Sequence, residues 1–177
     1  MSFRHCNLEF NVGMAKIVKD IDKLASIVEG LKVKGKIIVF VNGCFDIIHV
    51  GHIRYLKGAK TLGDVLIAAL NSDVSVRALK GSGRPLTPEG ERMEILSAIR
   101  FVDYVTIFSE TRVDKLLLKL KPHIHAKGTD YTVETVPERQ TVLSYGGQVA
   151  IVGDPKNHSS SEMAEGSRFR QGISKGK

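Results

Sequence analysis

The sequence predicts an α/β protein, one domain built on a parallel sheet of about five strands with helices on both faces. Short apolar runs bounded by turn residues recur at residues 37–41, 65–70, 102–108, 123–126 and 148–152, and they read as buried strands. Stretches of helical periodicity lie between them, and such alternation argues a parallel sheet. The chain has 177 residues, 42% of them hydrophobic, which suits a single domain with a substantial core.

Ahead of the first strand, Ile17, Ile21, Leu24, Ile27, Val28 and Leu31 recur at helical spacing, so an amphipathic helix is expected from Met14 to about Val33. It would belong to a helical extension over residues 1–35, packing on the sheet or on a partner subunit. Gly35 and Lys36 lead into the first strand, Ile37-Ile38-Val39-Phe40-Val41, and residues 51–60 read as the helix that follows. Gly63-Asp64 turns the chain into the second strand, and Asn71-Ser72-Asp73 stands at its carboxyl end before a short helix over residues 74–79. Gly81-Ser82-Gly83-Arg84-Pro85 is a loop, mobile at its glycines and stiffened at its exit by proline. Thr87 as N-cap and Pro88 at the first helical position then open a helix that runs to about Ile99. The third strand, a helix over residues 112–121 and the short fourth strand come next. A helix over residues 137–145 closes on Gly146-Gly147 ahead of the last strand. No internal repeat is visible. Residues 36–165 form the main domain, and residues 166–177, rich in Gly, Ser, Lys and Arg, form a flexible basic tail.

Composition excludes several function classes. The longest apolar run, at residues 65–70, is far too short to span a membrane, and the N-terminus has no apolar signal region. Two cysteines without framework spacing fit a reducing, cytoplasmic setting. The net charge of +7 invites a nucleic-acid reading, but Arg168, Arg170, Lys175 and Lys177 put four of those charges in the tail. Aromatic residues make up 6% with no Trp, so a base-stacking platform is not expected. The basic excess is read as phosphate attraction plus a solvated tail, with no nucleic-acid and no membrane partner.

Chemistry concentrates in the run from Val41 to His52. His49 and His52 stand three apart where a strand hands over to a helix, a common phosphate-binding place in α/β proteins. Residues three apart on a helical turn share one face, so both imidazoles can address one ligand. Gly51 between them lacks a Cβ and lets a bulky ligand approach the backbone. The helix N-terminal amides add donors and partial positive charge. Cys44, His49 and His52 are also possible zinc ligands, but structural zinc prefers four, and the only other cysteine is Cys6. No protein-bound metal is therefore expected. Magnesium would arrive on substrate phosphates.

Gly43-Cys44-Phe45-Asp46-Ile47-Ile48-His49-Val50-Gly51-His52 resembles the HxGH signature of the nucleotidyltransferase superfamily. Further stretches are similar to its heptose 1-phosphate adenylyltransferase branch. These are Asn71-Ser72-Asp73 with Ser75-Val76-Arg77, Leu79-Lys80-Gly81-Ser82-Gly83-Arg84-Pro85, Glu91-Arg92 with Leu96, and Lys127-Gly128-Thr129-Asp130-Tyr131. The resemblance spans about residues 37–161. It implies a Rossmann-like fold and transfer of a nucleotidyl group from a nucleoside triphosphate, ATP in that branch, to a sugar 1-phosphate, with Mg2+ riding on the nucleotide. D-glycero-D-manno-heptose 1-phosphate would be the acceptor, the product serving surface polysaccharide. Fused relatives of this branch carry a sugar kinase upstream, so a chain of this length is expected to rely on a separate kinase. Family habit and the N-terminal amphipathic helix suggest a homodimer.

By the same resemblance, His49, His52 and Lys80 are the catalytic set. The histidines donate to the triphosphate, and Lys80 acts as a mobile cation over its outer phosphates. Gly43, Cys44, Phe45, Asp46, Gly51, Lys127, Gly128 and Asp130 fall on nucleotide-binding positions. Asp46 would orient backbone or a magnesium-bound water, unless it is simply an Asx-turn cap. Ser159, Ser160 and Ser161 resemble the Ser/Thr run that opens the last helix and meets the phosphates. There the match departs from the family, because Gly166 stands where a basic residue is usual. Asn71, Asp73, Arg84 and Arg92 fall on the substrate side. Arg84 suits a bidentate grip on phosphate, and Arg92 could equally pair with Glu89 or Glu91. His123 and His125 read as core or edge histidines. Two alternatives stay open: a cytidylyltransferase acting on glycerol 3-phosphate, or a non-catalytic nucleotide-binding regulator.

Overall fold

A computed structural model describes residues 13–154 of the chain. The order is β1 (Lys16–Ile17), α1 (Ile21–Val33), β2 (Ile38–Gly43), α2 (Val50–Lys60), β3 (Val65–Asn71), α3 (Asp73–Lys80), α4 (Glu89–Ser97), β4 (Tyr104–Phe108), α5 (Asp114–Leu120), β5 (Ile124–Gly128), α6 (Arg139–Ser144) and β6 (Gln148–Val152). The six strands form one sheet in the order β1-β4-β3-β2-β5-β6, and every pairing is parallel.

The central strands are apolar because both their faces are covered. Every residue of β3 is buried. Side chains alternate across the sheet with the strand period of two. Val39 and Val41 meet Leu56 and Ala59 of α2 with Met93 and Leu96 of α4. On the other face, Ile38 and Phe40 meet Leu24 and Val28 of α1, Leu116, Leu117 and Leu120 of α5, and Val142 of α6. Each large aliphatic or aromatic side chain so buried stabilises the fold by about 1.5–3 kcal/mol relative to exposure. Gly63 makes the tight handover into β3 possible, since a Cβ there would stand 2.8 Å from the Ile37 carbonyl oxygen. Among the described residues, no helix is long and apolar enough to cross a membrane.

The sheet has six strands rather than about five, and the helix expected from Met14 begins only at Ile21. Ile17 sits one helical turn before Ile21, so periodicity alone could not mark the start. Asp20 marks it: in an extended conformation (φ −73°, ψ 112°) it accepts from the Asp22 and Lys23 amides at 2.9 and 3.0 Å. The residues ahead pair with β4 instead, Lys16 opposite Tyr104 and Ile17 opposite Val105. Pro88 occupies the N-cap of α4 rather than its first turn, with no side-chain cap. Thr87, expected as that cap, instead donates its amide to Asp46 Oδ1 at 3.2 Å. His123 proves to be an edge group, its Nδ1 accepting the Ile38 amide at 2.9 Å.

Strand order reverses at β2. The chain builds β3 and β4 to one side of it, then crosses back to lay β5 and β6 on the other. The carboxyl ends of β2 and β5 therefore diverge into a crevice, the place where open α/β sheets bind ligands.

Candidate active site

A cleft of ≈ 560 Å³ opens at that edge, within the range of small-molecule sites. The N-terminus of α2 forms one wall with His49, Gly51 and His52, and Lys80 at the end of α3 stands on the rim. Asn42 and Lys127 lie at the strand ends, and Arg112 and Glu138 belong to the opposite wall. Of the residues singled out from sequence, Gly43, Cys44, Phe45, Asp46 and Asn71 also line the cleft, as do Gly128 and Asp130. Asp73, Arg84 and Arg92 do not. Ser159, Ser160 and Ser161 lie outside the described residues.

The two histidines are fastened to the backbone of the helix they open. His49 is the N-cap of α2, and its Nδ1 accepts from the Gly51 amide at 3.1 Å. His52 reaches back so that its Nδ1 accepts from the His49 amide at 3.4 Å, completing a capping box. A ring that accepts at Nδ1 carries its proton on Nε2, so both imidazoles keep an Nε2–H donor. The rings lie 4.0 Å apart between centroids. Burial, then the neighbouring His49 and Lys80, push His52 down to about 4, which leaves it neutral at pH 7.

Gly51 serves this arrangement directly. A Cβ there would sit 2.9 Å from both Cε1 and Nδ1 of His49, so the space expected to admit a ligand holds the His49 ring. The first-turn amides differ from expectation in the same way. Gly51 donates to His49 Nδ1 and His52 donates to the His49 carbonyl at 2.9 Å. The donors at this wall are therefore the imidazole Nε2–H groups rather than those amides. Phe45 completes the turn with a left-handed φ of 47°, a conformation costing ~1–3 kcal/mol for a non-glycine residue. Its buried ring packs 5.5 Å from that of His52.

Asp46 and Arg92 hold the surrounding loops. The fully buried Asp46 carboxylate accepts from Arg84 Nη1 at 2.6 Å and from the Leu86 and Thr87 amides at 2.6 and 3.2 Å. Burial alone would raise its pKa, but hydrogen bonds from Arg84, Thr87 and Leu86 outweigh that and hold it below the usual carboxylate range. Arg84 is thereby turned toward Asp46, away from the role of an open phosphate clamp. Arg92 is 0% exposed. Its Nε donates to the Thr87 carbonyl at 2.8 Å, Nη1 to the carbonyls of Cys44 and Asn71, and Nη2 to Asp73 Oδ1. One guanidinium thus ties the carboxyl ends of β2 and β3 to the starts of α3 and α4. With no exposed surface, Arg92 meets a substrate nowhere in this conformation, nor does it pair with Glu89 or Glu91. Glu89 instead accepts the Asp73 amide at 2.8 Å. Asn71 donates to Ser75 Oγ at 2.9 Å, and Cys44 contributes its carbonyl to Arg92.

A second polar cluster was not legible in the sequence as a unit. Lys127 Nζ donates to Asn42 Oδ1 at 3.2 Å, pairs with Glu138 Oε2 at 3.4 Å and lies 5.2 Å from the Tyr131 ring centre. Asn42 Oδ1 also meets His125 Nε2 at 3.0 Å. Burial pushes Lys127 below its ordinary value, with Glu138 opposing, and pushes His125 down to about 3. Asn42, His125 and Glu138 are separated along the chain by whole elements, so spacing could not reveal them. Only the adjacency of β2 and β5 could.

Comparisons with known proteins bear on the fold and the family. Two bifunctional HldE proteins, from Pelobacter propionicus and Geobacter metallireducens, are each 51% identical to this chain over 148 and 152 residues, covering 84% and 86% of it. The chain spans only 30% of the length of each. The lipopolysaccharide core biosynthesis protein of Thermoplasma volcanium has a crystal structure similar over 69% of this chain and 100% of its own, with TM-score 0.59 and 28% identity. The pantoate-beta-alanine ligase of Francisella tularensis shares the fold with TM-score 0.62 at 21% identity, over 83% of this chain and 69% of its own. The cytidylyltransferase-like family matches residues 40–170, most of the chain, and with the HxGH turn built as described, this protein belongs to the cytidylyltransferase-like family.

Proposed function

We propose that the chain transfers a nucleotidyl group from ATP to D-glycero-D-manno-heptose 1-phosphate, releasing pyrophosphate and yielding nucleotide-activated heptose for surface polysaccharide. The observation that carries this reading is the capping box of His49 and His52, in which both Nδ1 atoms accept backbone amides so that Nε2 is the donor of each ring, on a cleft rimmed by Lys80. An oxygen of the acceptor phosphate attacks the α-phosphorus, the bond to the β-bridging oxygen breaks, and pyrophosphate leaves. The acceptor already carries its nucleophilic oxygen as an anion, so no base is needed. In-line positioning and stabilisation of developing charge supply the rate. His49 and His52 donate to the phosphate oxygens as charge builds, and Lys80 screens the leaving pyrophosphate.

Among the described residues, no group of three or more His, Cys, Asp or Glu side chains is arranged to hold a metal ion. Magnesium carried by the triphosphate itself would neutralise phosphate charge. The Lys80 to Pro85 run supports heptose as the acceptor, and the chain is taken to act as a cytoplasmic homodimer.

Pyrophosphate release over a matrix of ATP, CTP, GTP and UTP against heptose 1-phosphate and glycerol 3-phosphate tests the assignment. Turnover is expected with ATP and heptose 1-phosphate. Turnover confined to CTP and glycerol 3-phosphate would replace the substrate pair, and silence throughout with magnesium present would sink the enzyme reading. His52→Ala is expected to lower kcat ~100- to 1000-fold. Undiminished turnover in that variant would remove the histidines from the mechanism.

A further inference from the structure

Asn42 stands near the end of β2, just ahead of the turn that carries the histidines, yet the transfer step described above makes no use of it. Side chains alternate along a strand, so Asn42 shares the face of Ile38 and Phe40, which α1, α5 and α6 cover. The histidines open α2 on the other face. The half-buried Asn42 lines the cleft. Two side chains of β5 hold its amide, Lys127 Nζ at 3.2 Å and His125 Nε2 at 3.0 Å from Oδ1.

These two contacts decide which way the amide points. Lys127 is paired with Glu138 at 3.4 Å, and a protonated amine has no lone pair to offer. The Asn42 atom that meets it is therefore the oxygen and not the nitrogen. The same oxygen faces His125, a ring kept neutral by a pKa of about 3, so the imidazole carries its proton on Nε2 and donates. His125 Nδ1 is left buried without a hydrogen-bond partner. An apolar side chain packed on Phe40 would avoid that desolvation cost. What the imidazole supplies in return is a fixed Asn42. With Oδ1 taken twice, Nδ2 is turned away from both donors. It has no partner among the described residues, and it is not one of the buried atoms left without one, so it is open to the cleft.

The chemistry that would use this donor follows from the transfer itself. In an in-line displacement the attacking oxygen approaches opposite the leaving group. The pyrophosphate leaves beside His49, His52 and Lys80, so the phosphate of the acceptor comes from the facing wall. Formal charges on that wall are matched, Lys127 with Glu138 and Arg112 with Asp114. An uncharged N–H there aligns the attacking phosphate without withdrawing electron density from its oxygen as a full cation would.

We propose that Asn42 is a substrate-binding residue whose Nδ2 donates to the phosphate of the acceptor, with His125 and Lys127 as the positioning residues that fix its amide. This inference rests on the transfer reading, since it presupposes a sugar phosphate as acceptor.

Calorimetry on the full chain separates the two. Wild type, Asn42→Ala and Asn42→Asp are each titrated with heptose 1-phosphate and ATP. The alanine variant is expected to lose ~10-fold or more in heptose 1-phosphate affinity, with ATP changed by less than about twofold. Asn42→Asp keeps an oxygen for His125 and Lys127, which covers the case in which alanine disturbs the fold, and it puts a carboxylate where the amide donor was. It is expected to bind heptose 1-phosphate more weakly than the alanine variant, because like charges repel. Wild-type affinity in the aspartate variant overturns the proposal, since a carboxylate would then be accepting from a sugar hydroxyl. So does a loss confined to ATP, which would assign Asn42 to the nucleotide. His125→Leu, which leaves the amide one of its two donors, is expected to lose roughly threefold, and His125→Gln, whose amide can donate in its place, to recover it. Equal affinity in all three proteins overturns the positioning role. If the wild type binds heptose 1-phosphate yet releases no pyrophosphate from any pair, the transfer reading fails while the affinity differences still decide Asn42.

Discussion

At the scale of single residues, the site depends on where protons and small side chains sit. A neutral imidazole can donate from either nitrogen, and here both Nδ1 atoms accept backbone amides, which assigns the donors to Nε2. Gly51 is the residue that makes this packing possible, because any Cβ would press on the His49 ring. Gly51→Ala is therefore expected to displace that ring and lower kcat by roughly 100-fold, the usual effect of an ångström-scale misplacement. Helix propensity favours alanine over glycine by about 1 kcal/mol, so the fold should survive. Steady-state pyrophosphate release beside a thermal melt checks both halves. Full activity in the variant would mean that the ring position is unimportant.

At the scale of elements, the loops around the cleft are positioned by two buried charged groups rather than by their own sequences. Asp46 gathers Arg84, Leu86 and Thr87, and Arg92 gathers Thr87, Cys44, Asn71 and Asp73. The two clamps meet at Thr87, whose amide serves one and whose carbonyl serves the other. Arg92→Leu leaves the carbonyls of Cys44 and Asn71 short of a donor and frees Asp73. Breaking a buried pair of this kind costs about 3–5 kcal/mol, which lowers the Tm by roughly 10 °C in a domain of this size. Differential scanning calorimetry reads this, and a shift of only a degree or two would show that the clamp is dispensable.

At the scale of the whole molecule, two depressed histidines make stability depend on pH. His52 lies near 4 and His125 near 3, against about 6.5 in the unfolded chain. Between those values the unfolded state binds more protons than the folded state, so stability is full above pH 6.5. It is lost as pH falls toward 4 for His52 and toward 3 for His125. Urea midpoints should decline from pH 7 to pH 5, and the decline should be shallower in His125→Gln. A flat profile over that interval would mean that neither ring resists protonation.

Much of this could be read from the chain alone. Alternating apolar runs announced a parallel α/β sheet because a strand covered on both faces must be apolar throughout. His49, Gly51 and His52 could be singled out as one wall of the cleft because their chemistry is local, confined to one strand-to-helix turn. Lys80 and Gly128 lay in motifs of the same local kind. What the residues could not announce were contacts that join distant segments. Arg92 reads as a helix-surface cation until the fold buries it between three loops. Glu138 carries no signal of its own in the sequence, and β5 and α6 bring it against Lys127. Ile17 continues a helical pattern until β4 offers it a ladder. Periodicity and spacing report what a segment does with its own neighbours, whereas burial and charge pairing depend on which segments the strand order makes adjacent. The family was thus written in the sequence, and the assignment of these charged groups to clamp, wall and cleft was decided only by the tertiary structure.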